Sequence, residues 1–224
     1  MIDFTDIDHL GIDRIVKRGS AEFIVQNDRF VLVRDTVSGV LFLCGDVRDD
    51  DFSLVDGYIN KERDALMVDS EELYKKVFKR YGFEDKLSCY QVAYYGDAPK
   101  IDTELDVRVA EDTDIPLIVR NYHLVGEDEI VKIVGRRALY LGFLDGEPVG
   151  FAGEHLEGSM GLLYVFPQFR RRGFGETLEK VCIAKTLEKG FVPFGQVEKG
   201  NAPSLNLQKK LGFKTSENLI FWMW

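Results

Sequence analysis

The sequence predicts an α/β (α+β) fold, a mixed central sheet flanked by helices, with a smaller related N-terminal α/β half. Three observations predict it. Strand-like and helix-like runs alternate through the C-terminal half in the order β-α-(α)-β-β-β-α-β-α-β, as expected when helices lie on the faces of a sheet. Asp145-Gly146 joins two apolar runs, a strong two-residue hairpin signal. A helix-like run ending Lys209-Lys210-Leu211-Gly212-Phe213 precedes a closing apolar strand, and Lys79-Arg80-Tyr81-Gly82-Phe83 repeats that pattern earlier in the chain.

In the N-terminal half, "EFIVQNDRFVLVRDTVSGVLFLCG" reads as two or three strands, "SEELYKKVFKRYGF" as a helix and "LSCYQVAYY" as a strand. The polar, proline-containing "YGDAPKIDTE" (Tyr95 to Glu104) is the best linker. It divides the chain into 1–100 and 101–224. "LDVRVA" then alternates like a strand, and "EDTDIPLIVRNYHL" is a helix with an acidic start, in which Pro116 fits only an early turn. "ALYLGFL" and "EPVGFAGEH" form the hairpin. A turn at Gly158-Ser159 leads into the strand "MGLLYVF". "ETLEKVCIAKTLEKG" is a helix that stops at Gly190. "FVPFGQV" is a strand, "APSLNLQKKLG" a short helix, and "NLIFWMW" the closing strand. The repeated helix-Gly-Phe-strand pattern raises an internal duplication, which the residues leave open.

Composition narrows the function. The 224 residues are 45% hydrophobic and 30% charged, with 16 Phe and 9 Tyr, the makeup of a globular chain with a substantial core. A net charge of -9 repels nucleic acid and anionic membranes, so neither is expected as a partner, and it mildly favours cationic, amine-bearing substrates. Cys44, Cys89 and Cys182 are far apart, with no CxxC, and read as buried thiols in a reducing cytoplasm. "MIDFTDIDHL" shows no signal peptide, and no apolar run is long enough to span a membrane. A cytoplasmic location is expected. The acidic run Asp49-Asp50-Asp51 reads as a solvated loop, and no ligand spacing supports a metal site.

The stretch "VFPQFRRRGFGETLEK" (Val165 to Lys180) carries the chemistry. A strand ends at Phe166-Pro167 and a helix begins near Phe174. The intervening glycines let a ligand approach the backbone. The first N–H groups of a helix lack internal partners and sit at its positive end, so such a terminus binds phosphate or pyrophosphate. Arg170, Arg171 and Arg172 add charge. The chain has neither the Gly-Lys-Ser/Thr of a P-loop nor the GxGxxG dinucleotide fingerprint.

Arg170-x-x-Gly173-x-Gly175 resembles the Arg/Gln-x-x-Gly-x-Gly/Ala pattern of the GNAT superfamily of acyl-CoA-dependent N-acyltransferases. "NAPSLNLQKKLGF" resembles its Asn-x-x-Ser/Ala…Leu-Gly-Phe segment. "LIFWMW" and "FGQVEKGNAPS" are most similar to the FR47-like branch, which includes glycine N-acyltransferases. The resemblance covers Leu105 to Trp224. It implies a GNAT-type sheet and an acetyl-CoA (coenzyme A) site. The backbone of Tyr164, Val165 and Phe166 would hold the pantetheine arm and the thioester carbonyl. Arg170, Arg171, Arg172, Gly173, Phe174, Gly175 and Glu176 would line the pyrophosphate. Thr177 would touch phosphate or serve as plain helix surface, and Asn201 and Ser204 would contact the coenzyme from the other side of the cleft.

Acyl transfer to an amine needs a base within hydrogen-bond reach, directly or through water. Glu154, His155 and Glu157 are the candidates, and Glu154 and His155 face opposite sides of a regular strand. Tyr164 is the remaining catalytic candidate. Two positions depart from the family: Ser159 stands where glycine N-acyltransferases carry a glutamate, and Gln208 where many members carry a tyrosine acid. The expected function is an N-acetyltransferase acting on a small amine or amino-acid-like acceptor in a ternary complex. The alternative is a non-catalytic CoA-binding regulatory or assembly module. A homodimer is compatible with either. The N-terminal half, lacking the cradle, is expected to bind no CoA and to close the acceptor side.

Overall fold

The computed structural model describes residues 2–224. In chain order the helices are α1 (Leu10–Arg18), α2 (Phe52–Val55), α3 (Glu71–Tyr81), α4 (Ile115–Asn121), α5 (Glu127–Gly135), α6 (Phe174–Glu188) and α7 (Ala202–Leu211). The strands are β1 (Ala21–Gln26), β2 (Phe30–Asp35), β3 (Leu41–Gly45), β4 (Leu66–Val68), β5 (Lys86–Ala93), β6 (Asp106–Val109), β7 (Leu139–Leu144), β8 (Glu147–Glu154), β9 (Met160–Val165), β10 (Phe194–Glu198) and β11 (Lys214–Met223). The predicted elements are all present. The two-or-three-strand run of the N-terminal half resolves into β1, β2 and β3. Three elements carried no clear signal in the sequence: α1, α2 and the three-residue β4. The mixed α/β class, strands flanked by helices, stands.

The chain folds as two compact units. The first runs to Ala93 and adds Gln196–Asn206 and Lys214–Trp224; the second comprises Tyr94–Gly195 and Leu207–Phe213. In the first unit the strand order is β1-β2-β3-β4-β11-β5. The last strand of the chain therefore lies between two strands of its first hundred residues, antiparallel to both β4 and β5. Its two faces are separately covered. Phe30, Leu32, Leu41, Leu43, Leu66 and Val68 share one core with Leu73, Tyr74 and Val77 of α3. The alternating residues Val31, Val33, Phe42, Cys44 and Met67 share another with Ile12 and Ile15 of α1. Burial on both faces explains why these strands read as continuous apolar runs rather than as alternating ones. The acidic run Asp49–Asp51 is a short 3-10 turn. Asp51 is buried, and both its oxygens accept from Arg29, at 2.6 and 2.7 Å.

The second unit orders its strands β9-β8-β7-β6. Asp145 and Gly146 both take positive φ, 51° and 82°, and join β7 to β8 with Leu144 opposite Glu147, the geometry of a type I′ hairpin. Pro116 occupies the first turn of α4, and Gly190, at φ 77°, follows the end of α6 as the left-handed stop. Leu105, Val149, Phe166, Phe169 and Phe174 form a core that clamps the β9–α6 connection from both ends. The three cysteines are buried free thiols. No helix among the described residues is long and apolar enough to cross a membrane.

Candidate active site

The Arg-Gly segment lies in the second unit, at the end of β9. β9 is not a regular strand. Leu162 has φ 53°, and the four residues of β9 from Gly161 to Tyr164 oppose the three of β8 from Phe151 to Gly153. That is a β-bulge, which re-aims the strand. On the other edge, the ladder between β9 and β10 is a single pair, Met160 with Gly195. The chain then leaves β9 through a 3-10 turn at Pro167–Phe169 and makes two left-handed residues, Arg171 at φ 61° and Gly173 at φ 89°, before α6 begins.

Gly173 is the N-cap of α6 and offers no side chain to the helix. The N–H groups of the first turn therefore have no capping oxygen. A Cβ at Gly173 would meet nothing within 4 Å, whereas one at Gly175 would touch the Val165 side chain at 3.5 Å. The approach to the α6 terminus is thus open at the first glycine and close against β9 at the second. The three arginines differ. Arg170 turns back, donating from Nε to the Val165 carbonyl at 2.9 Å, with its guanidinium 5.6 Å from the Tyr164 ring centre. Arg171 is exposed. Arg172 lies over Phe174 at 4.8 Å, with Glu104 at 3.8 Å. Glu176, in the first turn, is held by Lys180 and Lys210, at 2.8 and 2.5 Å, so its carboxylate is neutralised where it would otherwise oppose an anion. Thr177 is half-buried on the same turn.

Asn201 and Ser204 belong to the first unit. Asn201 caps α7, its Oδ1 accepting from the Ser204 N–H at 3.2 Å. That gives the Asn-x-x-Ser spacing a local helix-capping role.

The base candidates separate cleanly. Glu154, at the end of β8, is buried. Its carboxylate accepts from the Thr186 hydroxyl at 2.5 Å and pairs with Lys189 at 3.0 Å, tying β8 to the C-terminal part of α6. The carboxylate offered by the sequence as a base candidate is thus engaged in an ion pair. Glu157 is buried and accepts from the Ser159 hydroxyl. His155 is half-buried, with Nδ1 3.8 Å from Glu129 and its ring against Gly161, where a Cβ would meet Nε2 at 2.5 Å. Burial by itself would lower the His155 imidazole. The link to Glu129, with the charges of Glu157 and Glu129, holds it above its ordinary value.

Tyr122, Glu129 and the Leu162 bulge carry no motif that singles them out in the sequence. Tyr122 hydrogen-bonds to the backbone of Leu162, and burial pushes its phenol up to about 12. Its ring meets Phe151 edge-on at 6.2 Å, and Phe151 stacks on Tyr164 at 5.5 Å. Tyr164 therefore belongs to an aromatic row, Tyr122-Phe151-Tyr164, and lies under Arg170. Gln208 is buried and donates to Glu179 of α6 at 3.2 Å; burial lifts the Glu179 carboxyl to about 7.

Residues 140–222 match the family described as FR47-like protein. That match spans the second part of the chain, from β7 into β11. No curated protein matches it significantly in sequence. Among solved structures, a Drosophila protein superposes on this chain with a TM-score of 0.73 at 15% identity, covering 97% of this chain and 89% of the other. A GCN5-related N-acetyltransferase from Kribbella flavida gives 0.60 at 12% identity over 97% and 93%. A tandem GNAT protein from the clavulanic acid biosynthesis pathway gives 0.54 at 12% identity over 97% and 87%. At these identities the likeness shows a shared fold.

Proposed function

We propose that this chain is a cytoplasmic N-acetyltransferase that moves an acetyl group from acetyl-CoA to the amine of a small molecule or amino-acid-like acceptor, by direct attack in a ternary complex. The observation that carries the reading is the uncapped start of α6 at Gly173, flanked by Arg170 to Arg172 and set at the end of bulged β9. Its unpaired N–H groups and the arginines suit a pyrophosphate. The backbone of Tyr164 to Phe166 would hold the pantetheine arm. Bound acetyl-CoA supplies an acetyl group activated as a thioester.

His155 is the base in this reading. It takes the proton from the acceptor ammonium, and Glu129 stabilises the imidazolium so formed. A residue of this kind must be neutral before the reaction, so its raised pKa places the working range on the alkaline side of ordinary histidine. The N-terminal half, residues 1–100, binds no CoA in this reading, which predicts one coenzyme per chain. The deciding assay is thiol release from acetyl-CoA across a panel of amines. Release that depends on amine and is lost in His155→Gln supports the enzyme. A second reading, a CoA-binding module without catalysis, is favoured by one observation: the position where many family members carry a tyrosine acid is Gln208, buried against Glu179. Coenzyme binding with no release for any amine would select it.

A further inference from the structure

His9, Cys44 and Asp69 come from three separate segments of the first unit: the turn before α1, the end of β3, and the residue before the Ser70 cap of α3. One ligand atom from each lies within 4.8 Å of the others. We propose that this cluster is a divalent transition-metal site, of the borderline-soft type that zinc fills, with a structural role.

The ligand chemistry fits. Imidazole nitrogen, thiolate and carboxylate are the usual zinc donors. The His9 Nδ1 lies 2.9 Å from the Asp3 carbonyl and donates to it, the second contact that orients a metal-binding histidine. That bond assigns Nε2 to the cluster, where it lies 3.0 Å from Asp69 Oδ2. The same Asp69 oxygen accepts from the Gly45 N–H at 2.8 Å, while Oδ1 is buried with no partner. Asp8 Oδ1 is also buried and unpartnered, and its other oxygen accepts from Asn218 at 3.1 Å. Two orphan carboxylate oxygens beside a histidine and a thiol are costly unless a cation completes them.

The surroundings favour a cation and give it a way in. Asp8, His9 and Asp69 line a cavity of about 410 Å³, together with Asp6, Asp46, Glu72 and Lys76. Lys76, the one lysine in that lining, is held by Glu72 at 3.0 Å and by the Val47 carbonyl at 3.3 Å. A Cys-His-Asp nucleophile is not an equal reading: both imidazole nitrogens are engaged with Asp3 and Asp69, and Cys44 is fully buried. Coordination would replace the proton between His9 and Asp69 and the thiol proton of Cys44, releasing two protons per metal.

The test uses the full chain, stripped by dialysis against a chelator and titrated with cobalt(II). One cobalt per chain is expected, with a thiolate-to-cobalt charge-transfer band and tetrahedral d–d bands, both displaced by zinc. Zinc should raise the melting temperature by several degrees. Cys44→Ser should lose the charge-transfer band, His9→Gln should weaken cobalt binding by at least ~10-fold, and the double variant Cys89→Ser/Cys182→Ser should keep the band. A wild-type protein with no band, or a band that survives in Cys44→Ser, overturns the site and leaves His9–Asp69 as an ordinary ion pair. If Cys44→Ser fails to fold, the wild-type spectrum with the His9→Gln and Cys89/Cys182 variants decides. Coenzyme binding is not part of the readout, so the result is independent of the proposed acetyl transfer.

Discussion

Arg170 donates through Nε to the carbonyl of Val165, five residues earlier in the chain, at 2.9 Å. This bond closes the loop between β9 and α6 and places a guanidinium over Tyr164. Arg170 thus has two jobs, shaping the loop and supplying charge. Arg170→Ala should weaken CoA binding by ~10-fold or more, about 1.4 kcal/mol, and more than Arg171→Ala, whose side chain is exposed. Calorimetric titration of both variants checks the order. Equal losses would make the loop-closing bond irrelevant to the coenzyme.

Gly173→Asp should abolish CoA binding and leave the protein folded. Its Cβ meets open space, and Asp at a left-handed φ costs roughly 1–2 kcal/mol, part of which an N-cap carboxylate recovers. The same carboxylate would occupy the N–H groups that a phosphate needs and would repel it. Saturating CoA at ~100 times its Kd should add about 2.7 kcal/mol of stability to the wild type and nothing to the variant. A melting temperature unmoved by CoA in the wild type refutes the coenzyme assignment.

Amine acetylation should rise with pH through an inflection above the ordinary histidine value of ~6.5. The sign follows from His155 being active only when neutral and from Glu129 holding it protonated. Glu129→Gln should move the inflection down. The acceptor amine titrates too, but its pKa is indifferent to residue 129. A profile unchanged by Glu129→Gln removes His155 as the base.

Glu179 should make the fold less stable as pH rises. Its carboxyl is lifted by burial to about 7 in the folded state, from an ordinary value of 4.5. The folded protein therefore holds a proton that the unfolded chain has released. This contribution is fully present below the unfolded value and is lost as pH rises through the folded one. Glu179→Gln should flatten the pH dependence of stability between ~4.5 and ~7, and at pH 8 should stabilise by on the order of 1–3 kcal/mol. Chemical denaturation of both proteins across that range measures it; identical slopes would show that Glu179 does not hold the proton.

The sequence by itself determined what short-range chemistry controls. Asp145-Gly146 forced a hairpin because those residues accept positive φ. Gly190 and Gly212 ended helices for the same reason. The run from Val165 to Gly175 marked out a glycine- and arginine-rich helix start because those residues are contiguous. Pairing between distant segments was decided only in three dimensions. Nothing in "NLIFWMW" says that β11 inserts between β4 and β5, since an apolar strand with both faces buried fits any open edge. Glu154 read as a candidate base, and its contacts with Thr186 and Lys189 join residues too far apart in the chain for the sequence to pair them. The bulge at Leu162 left no mark, because an extra residue in a strand is visible only against its partner. His9, Cys44 and Asp69 show no ligand spacing in the chain; they meet because α1, β3 and β4 share one buried face.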